Sequence, residues 1–174
     1  MPKQKLAIYA GTFDPLTLGH LDLVERGAEL FDRLILAVAK ATHKYPLFDL
    51  SERVALAKRI VRKLSNVEVA PFDCLLVDYA RRRNARILIR GLRAYSDFEY
   101  EFPMALTNRK LAPEIETLFM MPKEIHSFVS SSIVRQVAEL GGDTRQFVPE
   151  PVYKAICKKM AERDHANTPA GCRV

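Results

Sequence analysis

The chain has 174 residues, of which 48% are hydrophobic and 28% charged, and its formal net charge is +6. This length favours one domain with a substantial core, and the composition is that of an ordinary globular protein. The apolar runs are far shorter than a membrane span, and the N-terminus lacks the apolar stretch and cleavage pattern of a signal peptide. We therefore expect no membrane partner and a cytoplasmic location.

The short apolar runs alternate with amphipathic stretches. The runs are rich in Ile, Leu and Val, as buried parallel strands are, and they cover residues 5–10, 34–39, 67–71, 86–89 and 117–121. The apolar faces of three predicted helices span residues 21–31, 54–64 and 76–80, and three further helices cover about 96–111, 131–140 and 152–163.

Helix start and stop signals support this assignment. Asp49 precedes the second helix with Glu52 three residues later, which is the arrangement of a capping box. Pro103 would kink the fourth helix or lie in its first turns, and two glycines end the fifth. Residues 164–174 have little to bury, so we predict a disordered tail after a single domain of residues 1–163.

The alternation of strands and helices predicts an α/β fold with a doubly wound, parallel, five-stranded sheet. In such sheets a ligand lies beyond the carboxyl ends of the strands, where the strand order reverses. If the order is 3-2-1-4-5, this point lies between the first and fourth strands. The segments GTFDPLTLGH (11–20) and RGLRA (90–94) would then face each other across one crevice.

The first of these segments has the residue types of a phosphate site. Gly11 lets the backbone approach a ligand closely, and Thr12 offers a hydroxyl and a backbone N–H. Gly19 and His20 come at a helix start, where free N–H groups and the helix dipole favour an anion. His20 would donate a hydrogen bond to a phosphoryl oxygen, or it would simply be a helix-terminal residue bonded to the loop.

Charged residues follow two further strands. Lys40, His43 and Lys44 come after the second strand, either at the rim of the crevice or in a solvated loop. Arg90 and Arg93 lie at the end of the fourth strand and would clamp a phosphate. The alternative for Arg90 is a structural ion pair with a glutamate at position 99 or 101.

The segment SFVSSSIVR places three hydroxyls, at positions 130–132, where a helix begins. One of them suffices as an N-cap, whereas three together with Arg135 would make a phosphate nest. The histidines lack metal-ligand spacing, so we expect no metal site formed by the protein alone. Several phosphate-binding segments without an evident nucleophile indicate phosphoryl or nucleotidyl transfer by positioning.

The basic balance alone would also suit a nucleic-acid-binding domain. Such a domain needs aromatic stacking positions or a recognition helix with clustered base-reading side chains, and the sequence has neither pattern. Much of the charge recurs at helical spacing, as around Lys58 and Arg62, which is typical of a solvated helix face. We therefore expect no nucleic-acid partner.

These motifs resemble those of a known family. Residues 17–20, TLGH, match the (T/H)xGH signature of the nucleotidyltransferase superfamily, and SSSIVR resembles its second signature. Together with LIRGLRAYSDFEYE and ALTNRKL, they make the chain similar to bacterial phosphopantetheine adenylyltransferases over roughly residues 5–160. Another adenylyltransferase, such as one acting on nicotinamide mononucleotide, is the alternative.

The resemblance implies a Rossmann-like nucleotidyltransferase fold and transfer of the adenylyl group of ATP to 4′-phosphopantetheine, giving dephospho-coenzyme A and pyrophosphate. It also implies Mg²⁺ as cofactor, a place in coenzyme A biosynthesis, a homohexamer and inhibition by coenzyme A. His20 is the implied catalytic residue. The residues implied to bind ATP are Thr12, Phe13, His20, Gly91, Leu92, Arg93, Glu101, His126, Ser127, Phe128, Val129, Ser130, Ser131 and Ser132. The residues implied to bind phosphopantetheine are Thr12, Lys44, Leu76, Arg90 and Asn108.

Overall fold

The computed structural model describes residues 5–40 and 46–167. Five parallel strands form one sheet, as predicted, and their order is β3-β2-β1-β4-β5, the order on which the predicted crevice depended. The strands are β1 (Leu6–Gly11), β2 (Arg33–Ala39), β3 (Val67–Phe72), β4 (Ile87–Gly91) and β5 (Glu116–Met120). The helices are α1 (Leu18–Leu30), α2 (Leu50–Val61), α3 (Leu76–Arg82), α4 (Tyr95–Leu111), α5 (Ser131–Glu139) and α6 (Glu150–Asn167), with a short 3₁₀ turn at Glu124–His126.

The central strand β1 is buried on both faces because helices cover both sides of the sheet. Its alternate side chains divide between two clusters of apolar residues. The first cluster contains Tyr9 and the α1 residue Leu23, and the second contains Ile8 and the α3 residue Val77. A third cluster joins α5 to α6 beside the sheet.

Two helices differ in extent from the prediction. α1 begins at Leu18, three residues before the first apolar position of its face, because Thr17 caps it. α6 begins at Glu150 and continues through residues 164–167, which were predicted to lie in the tail. The remaining residues of that tail, 168–174, lie outside the described residues.

The other helices start close to their predicted positions. The predicted capping box is present at α2, where Asp49 accepts from the Glu52 backbone N–H at 2.8 Å and Glu52 accepts from that of Asp49. Pro103 lies inside α4, which continues past it to Leu111. Among the described residues, none of the helices has the length and apolar content needed to cross a bilayer.

Candidate active site

A cavity of about 520 Å³ opens at the carboxyl ends of β1 and β4, where the strand order reverses. The segments 11–20 and 90–94 both line it, so the predicted crevice is confirmed. The starts of α4 and α5 complete its wall. The predicted site residues that line it are Thr12, Phe13, His20, Arg90, Gly91, Arg93, Glu101, Val129, Ser130, Ser131 and Ser132.

The other predicted site residues that the structure describes do not line this cavity. His126 lies close to it, because its backbone oxygen is 3.4 Å from where a side chain on Gly19 would begin. Leu92 and the exposed Phe128 are next to lining residues in the chain, and Ser127 is two residues before the lining residue Val129. Leu76, at the start of α3, packs against the second cluster, and Asn108 is buried on α4. Lys44 and its neighbour His43 lie outside the described residues.

The loop after β1 is tightly folded around Phe13. This residue has φ of 50°, in the left-handed region that aromatic residues rarely adopt, and such backbone strain is common at functional sites. Its ring lies 2.9 Å from the position that a Cβ on Gly11 would take, so the glycine is required for this fold of the loop. The ring packs edge-on against both Tyr9 and His20.

Two buried charged residues anchor this loop. Asp14 accepts hydrogen bonds at 2.9 Å from both backbone N–H groups of residues 47–48. Arg53 donates to the carbonyl oxygens of Thr12 at 2.6 Å and Ala39 at 2.7 Å. These bonds connect the loop after β1 to residues on both sides of positions 41–45, which include Lys44. Nothing in the sequence pattern indicated either anchor.

The imidazole of His20 is oriented by Thr17. Its Nδ1 accepts from the Thr17 backbone N–H at 3.0 Å, while its own backbone N–H donates to the Thr17 hydroxyl at 3.3 Å. An accepting Nδ1 assigns the proton of the neutral ring to Nε2. Burial, then the charges of Arg93 and Arg90, lower the pKa of His20 to about 4. His20 is thus a neutral donor at pH 7, and it both bonds to the loop and lines the cavity.

Arg90 forms an ion pair with Glu101, the structural alternative raised from the sequence. Its Nε and Nη2 donate to the two carboxylate oxygens at 2.6 and 2.5 Å, and its Nη1 donates to the Ala10 carbonyl at 2.6 Å. Burial alone would lower the pKa of Arg90, but the hydrogen bonds and charge of Glu101 outweigh it and raise the pKa above its ordinary value. The guanidinium is therefore held rigidly at the end of β4.

The other two arginines of the cavity also face carboxylates. Arg93 makes two hydrogen bonds of 2.8 Å to Asp97, and Arg135 lies 3.7 Å from a carboxylate oxygen of Asp14. Arg93 also donates to the Val129 carbonyl at 3.0 Å. The three arginines lining the cavity are thus matched by three carboxylates, and the cavity wall is charge-balanced in the described residues.

The three serines have different partners. The hydroxyl of Ser130 accepts from the Ile133 backbone N–H at 3.1 Å, so Ser130 is the N-cap of α5. Ser131 donates to the Pro15 carbonyl at 2.8 Å, which attaches α5 to the loop after β1. Only one serine is needed as a cap, and all three line the cavity.

The lining residues that were not predicted as site residues include Tyr9, Asp97 and Tyr100. Asp97 follows Arg93 by four residues, a spacing that brings side chains together on a helix and could have indicated the pair. Tyr9 lies inside an apolar strand, where the sequence pattern gives no sign that its hydroxyl reaches a cavity.

Solved structures share the fold at low sequence identity. A protein described as a nicotinate-nucleotide adenylyltransferase from Vibrio parahaemolyticus superimposes with a TM-score of 0.65 at 20% identity, covering 90% of this chain and 94% of the other. A bifunctional NMN adenylyltransferase/ADP ribose pyrophosphatase from Francisella tularensis, complexed with AMP and a manganese ion, gives 0.68 at 13% identity over 93% of this chain and 53% of the other. These likenesses support the nucleotidyltransferase fold.

Sequence comparison is more specific. The cytidylyltransferase-like family model matches residues 8–137. A phosphopantetheine adenylyltransferase from Methylococcus capsulatus is 56% identical over 155 residues, which are 89% of this chain and 96% of the relative. One from Alkaliphilus metalliredigens is 52% identical over 155 residues, 89% of this chain and 99% of the relative. With this identity over nearly its whole length, the chain belongs to the phosphopantetheine adenylyltransferase family.

Proposed function

We propose that the crevice is where this chain transfers the adenylyl group of ATP to 4′-phosphopantetheine, the reaction of its family. An oxygen of the acceptor phosphate forms a bond to the α-phosphorus, and the bond from that phosphorus to pyrophosphate breaks. Pyrophosphate leaves with the electron pair, and dephospho-coenzyme A remains. The observation that carries the proposal is the neutral His20, which is fixed by Thr17 and lines the cavity.

The reaction needs no general base. The nucleophile is a phosphate monoester whose second pKa is about 6, so it is largely ionised near neutral pH. The lowered pKa of His20 also makes it a poor base. Its Nε2–H would instead donate to an oxygen of the α-phosphate, where negative charge accumulates during attack.

We propose that alignment supplies the rest of the catalysis. The backbone N–H groups that the caps leave unbonded at the starts of α1 and α5 would donate hydrogen bonds to phosphate oxygens, and Thr12 would lie between the two substrates. Arg93 would contact the nucleotide, whereas Arg90 and Lys44 would contact the acceptor phosphate. Because Arg90 and Arg93 are already paired with Glu101 and Asp97, an arriving phosphate must share each guanidinium with its carboxylate or displace that carboxylate.

The described residues do not form a magnesium site by themselves. No three potential ligands among Asp, Glu, His and Cys lie together in them. The cavity carboxylates of Asp14, Asp97 and Glu101 already accept from arginines or backbone amides. Mg²⁺ often binds through substrate phosphates with only one or two carboxylates. We therefore propose that it enters bound to ATP, and no step above depends on it.

The homohexamer is also a proposal, supported by exposed apolar side chains on the edge of the molecule. Tyr95, Tyr100 and Leu106 on α4 are 77%, 66% and 50% exposed, and Leu118 on the edge strand β5 is 43% exposed. Large apolar surfaces of this kind commonly mark interfaces. Light scattering would test the assembly, and Leu106→Lys should reduce it.

Coenzyme A contains both the adenosine and the pantetheine portions of the product, so it would compete for both halves of the crevice.

A cytoplasmic location also stays a prediction.

Pyrophosphate release from ATP tests the function directly. The chain should release pyrophosphate with 4′-phosphopantetheine as acceptor and none above background with nicotinamide mononucleotide. Product identity is checked by the mass of dephospho-coenzyme A. Faster release with nicotinamide mononucleotide would overturn the proposal.

A further inference from the structure

Tyr9 occupies an unusual position in the central strand. It pairs with Leu36 of β2 on one side and Ile89 of β4 on the other, and it lies three residues before Thr12, where the loop after β1 begins. Its side chain belongs to the first cluster and is only 4% exposed, yet it lines the cavity. The ring packs edge-on against Phe13, with ring centres 5.3 Å apart. Tyr9 is thus fixed by packing with its polar end toward the site.

The hydroxyl of Tyr9 is open to a ligand. In residues 5–40 and 46–167 no hydrogen bond to this hydroxyl is formed, whereas buried tyrosine hydroxyls usually have a partner. Every fully enclosed side-chain N or O atom in that part of the chain has a hydrogen-bond partner. Since the Tyr9 hydroxyl has none there, it is not fully enclosed and it reaches the cavity. It lies 3.6 Å from where a side chain on Gly91 would begin. The glycine therefore leaves it accessible.

The surroundings of this hydroxyl favour an anionic acceptor. Arg90 and Arg93 act on it electrostatically, and arginines can only donate hydrogen bonds. Glu101 also acts on it, but its two oxygens already accept from Arg90. Burial raises the pKa of Tyr9 above its ordinary value in spite of the two arginines, so the phenol keeps its proton. A protonated phenol near two cations is suited to donate to a phosphate oxygen.

We infer that Tyr9 is a substrate-positioning residue whose hydroxyl donates a hydrogen bond to a phosphate oxygen in the crevice. The inference rests on the proposed function, because that function places phosphates of both substrates there. The oxygen belongs to the nucleotide or to the acceptor, and separate binding measurements distinguish the two.

Tyr9→Phe removes only the hydroxyl and keeps the ring in the cluster. Tyr79→Phe is a matched control, because Tyr79 is also buried, at 8% exposure, and its hydroxyl accepts from Arg83 away from the cavity. Calorimetry would measure the dissociation constants of ATP and 4′-phosphopantetheine, and those of their phosphate-free counterparts adenosine and pantetheine. Pyrophosphate release would give kcat.

We expect Tyr9→Phe to weaken binding of one phosphorylated substrate, or to lower kcat, by about tenfold to a hundredfold. Binding of adenosine and pantetheine should stay within twofold, and Tyr79→Phe should change none of these values. Unchanged binding and kcat, or equal losses for the phosphate-free compounds, would overturn the inference. If the unmodified chain binds ATP but releases no pyrophosphate, the proposed function fails, while the comparison of ATP and adenosine binding still tests Tyr9.

Discussion

The replacement His20→Ala tests whether the crevice acts by stabilising charge at the α-phosphate. The structure fixes the ring through the Thr17 N–H···Nδ1 hydrogen bond of 3.0 Å, so the Nε2 proton is presented to the cavity at no orientational cost during the reaction. With its pKa lowered to about 4, the ring stays neutral at the working pH. Its contribution is therefore that of one preorganised donor.

The loss of one such donor lowers kcat by about 10²–10³, which corresponds to roughly 3–4 kcal/mol. His20→Ala also removes the side-chain half of the capping box at α1, which would cost about 1 kcal/mol of stability. The folded variant should thus lose several hundredfold in kcat while its melting temperature falls by a few degrees. The dissociation constant of ATP should change little, because the donor is used chiefly in the transition state.

The assay combines pyrophosphate release under saturating substrates with calorimetric titration of ATP. His20→Asn and His20→Gln serve as graded variants, since an amide that reaches the phosphate can still donate. A near-native kcat in His20→Ala, or a defect that lies wholly in ATP affinity, would refute the reasoning. So would a fall of kcat below pH 6.5 that disappears in His20→Asn, because it would show proton abstraction by the imidazole.

Three further predictions follow from the geometry of the cavity. Gly11→Ala should destabilise the protein by about 1–3 kcal/mol in urea unfolding and lower kcat, because the new methyl group would lie 2.9 Å from the Phe13 ring; an unchanged midpoint would contradict the close packing. Arg90→Ala leaves the Glu101 carboxylate without its bidentate partner and should lower the free energy of unfolding by about 1–3 kcal/mol. The double variant Arg90→Ala with Glu101→Gln should recover part of this stability. A double variant no more stable than Arg90→Ala would argue against the pair. The pKa of His20 falls from 6.5 in the unfolded chain to about 4 in the folded protein. Between pH 6.5 and 4 the unfolded chain therefore binds a proton that the folded protein does not. The free energy of unfolding should drop by up to about 3 kcal/mol as the pH falls across this range. His20→Gln should lose this part of the pH dependence, and equal slopes for both proteins would disprove it.

Much of the fold could be predicted from the sequence because local signals and packing agree. The apolar runs placed all five strands within about two residues, and the parallel sheet followed from the alternation of strands and helices. Asp49 and Glu52 marked α2 because capping depends on neighbouring residues. The end of α6 was missed because apolar periodicity stops at the last packed residue, whereas the helix continues to Asn167.

The candidate site was predicted less completely, for a physical reason. Residues at or beyond the carboxyl ends of strands, such as Arg90 and His20, could be assigned to the crevice from topology alone. The anchoring role of Arg53 depends on contacts with carbonyl groups 14 and 41 positions away along the chain, which no local pattern records. Tyr9 is indistinguishable from a core aromatic until the position of its hydroxyl is known.

The charge balance of the cavity explains why neutral donors matter there. Each lining arginine faces a carboxylate, so the wall attracts a triphosphate less strongly than three free cations would. Strong binding of the substrate itself would not raise kcat, since only interactions that strengthen in the transition state lower the barrier. In the proposed mechanism a fixed neutral donor such as His20 would act mainly where negative charge develops, and the helix N-termini would act in the same way. In the proposed mechanism the paired arginines would hold the loops and the substrates in line, while the uncharged N–H and O–H groups would respond to the charge that moves during transfer.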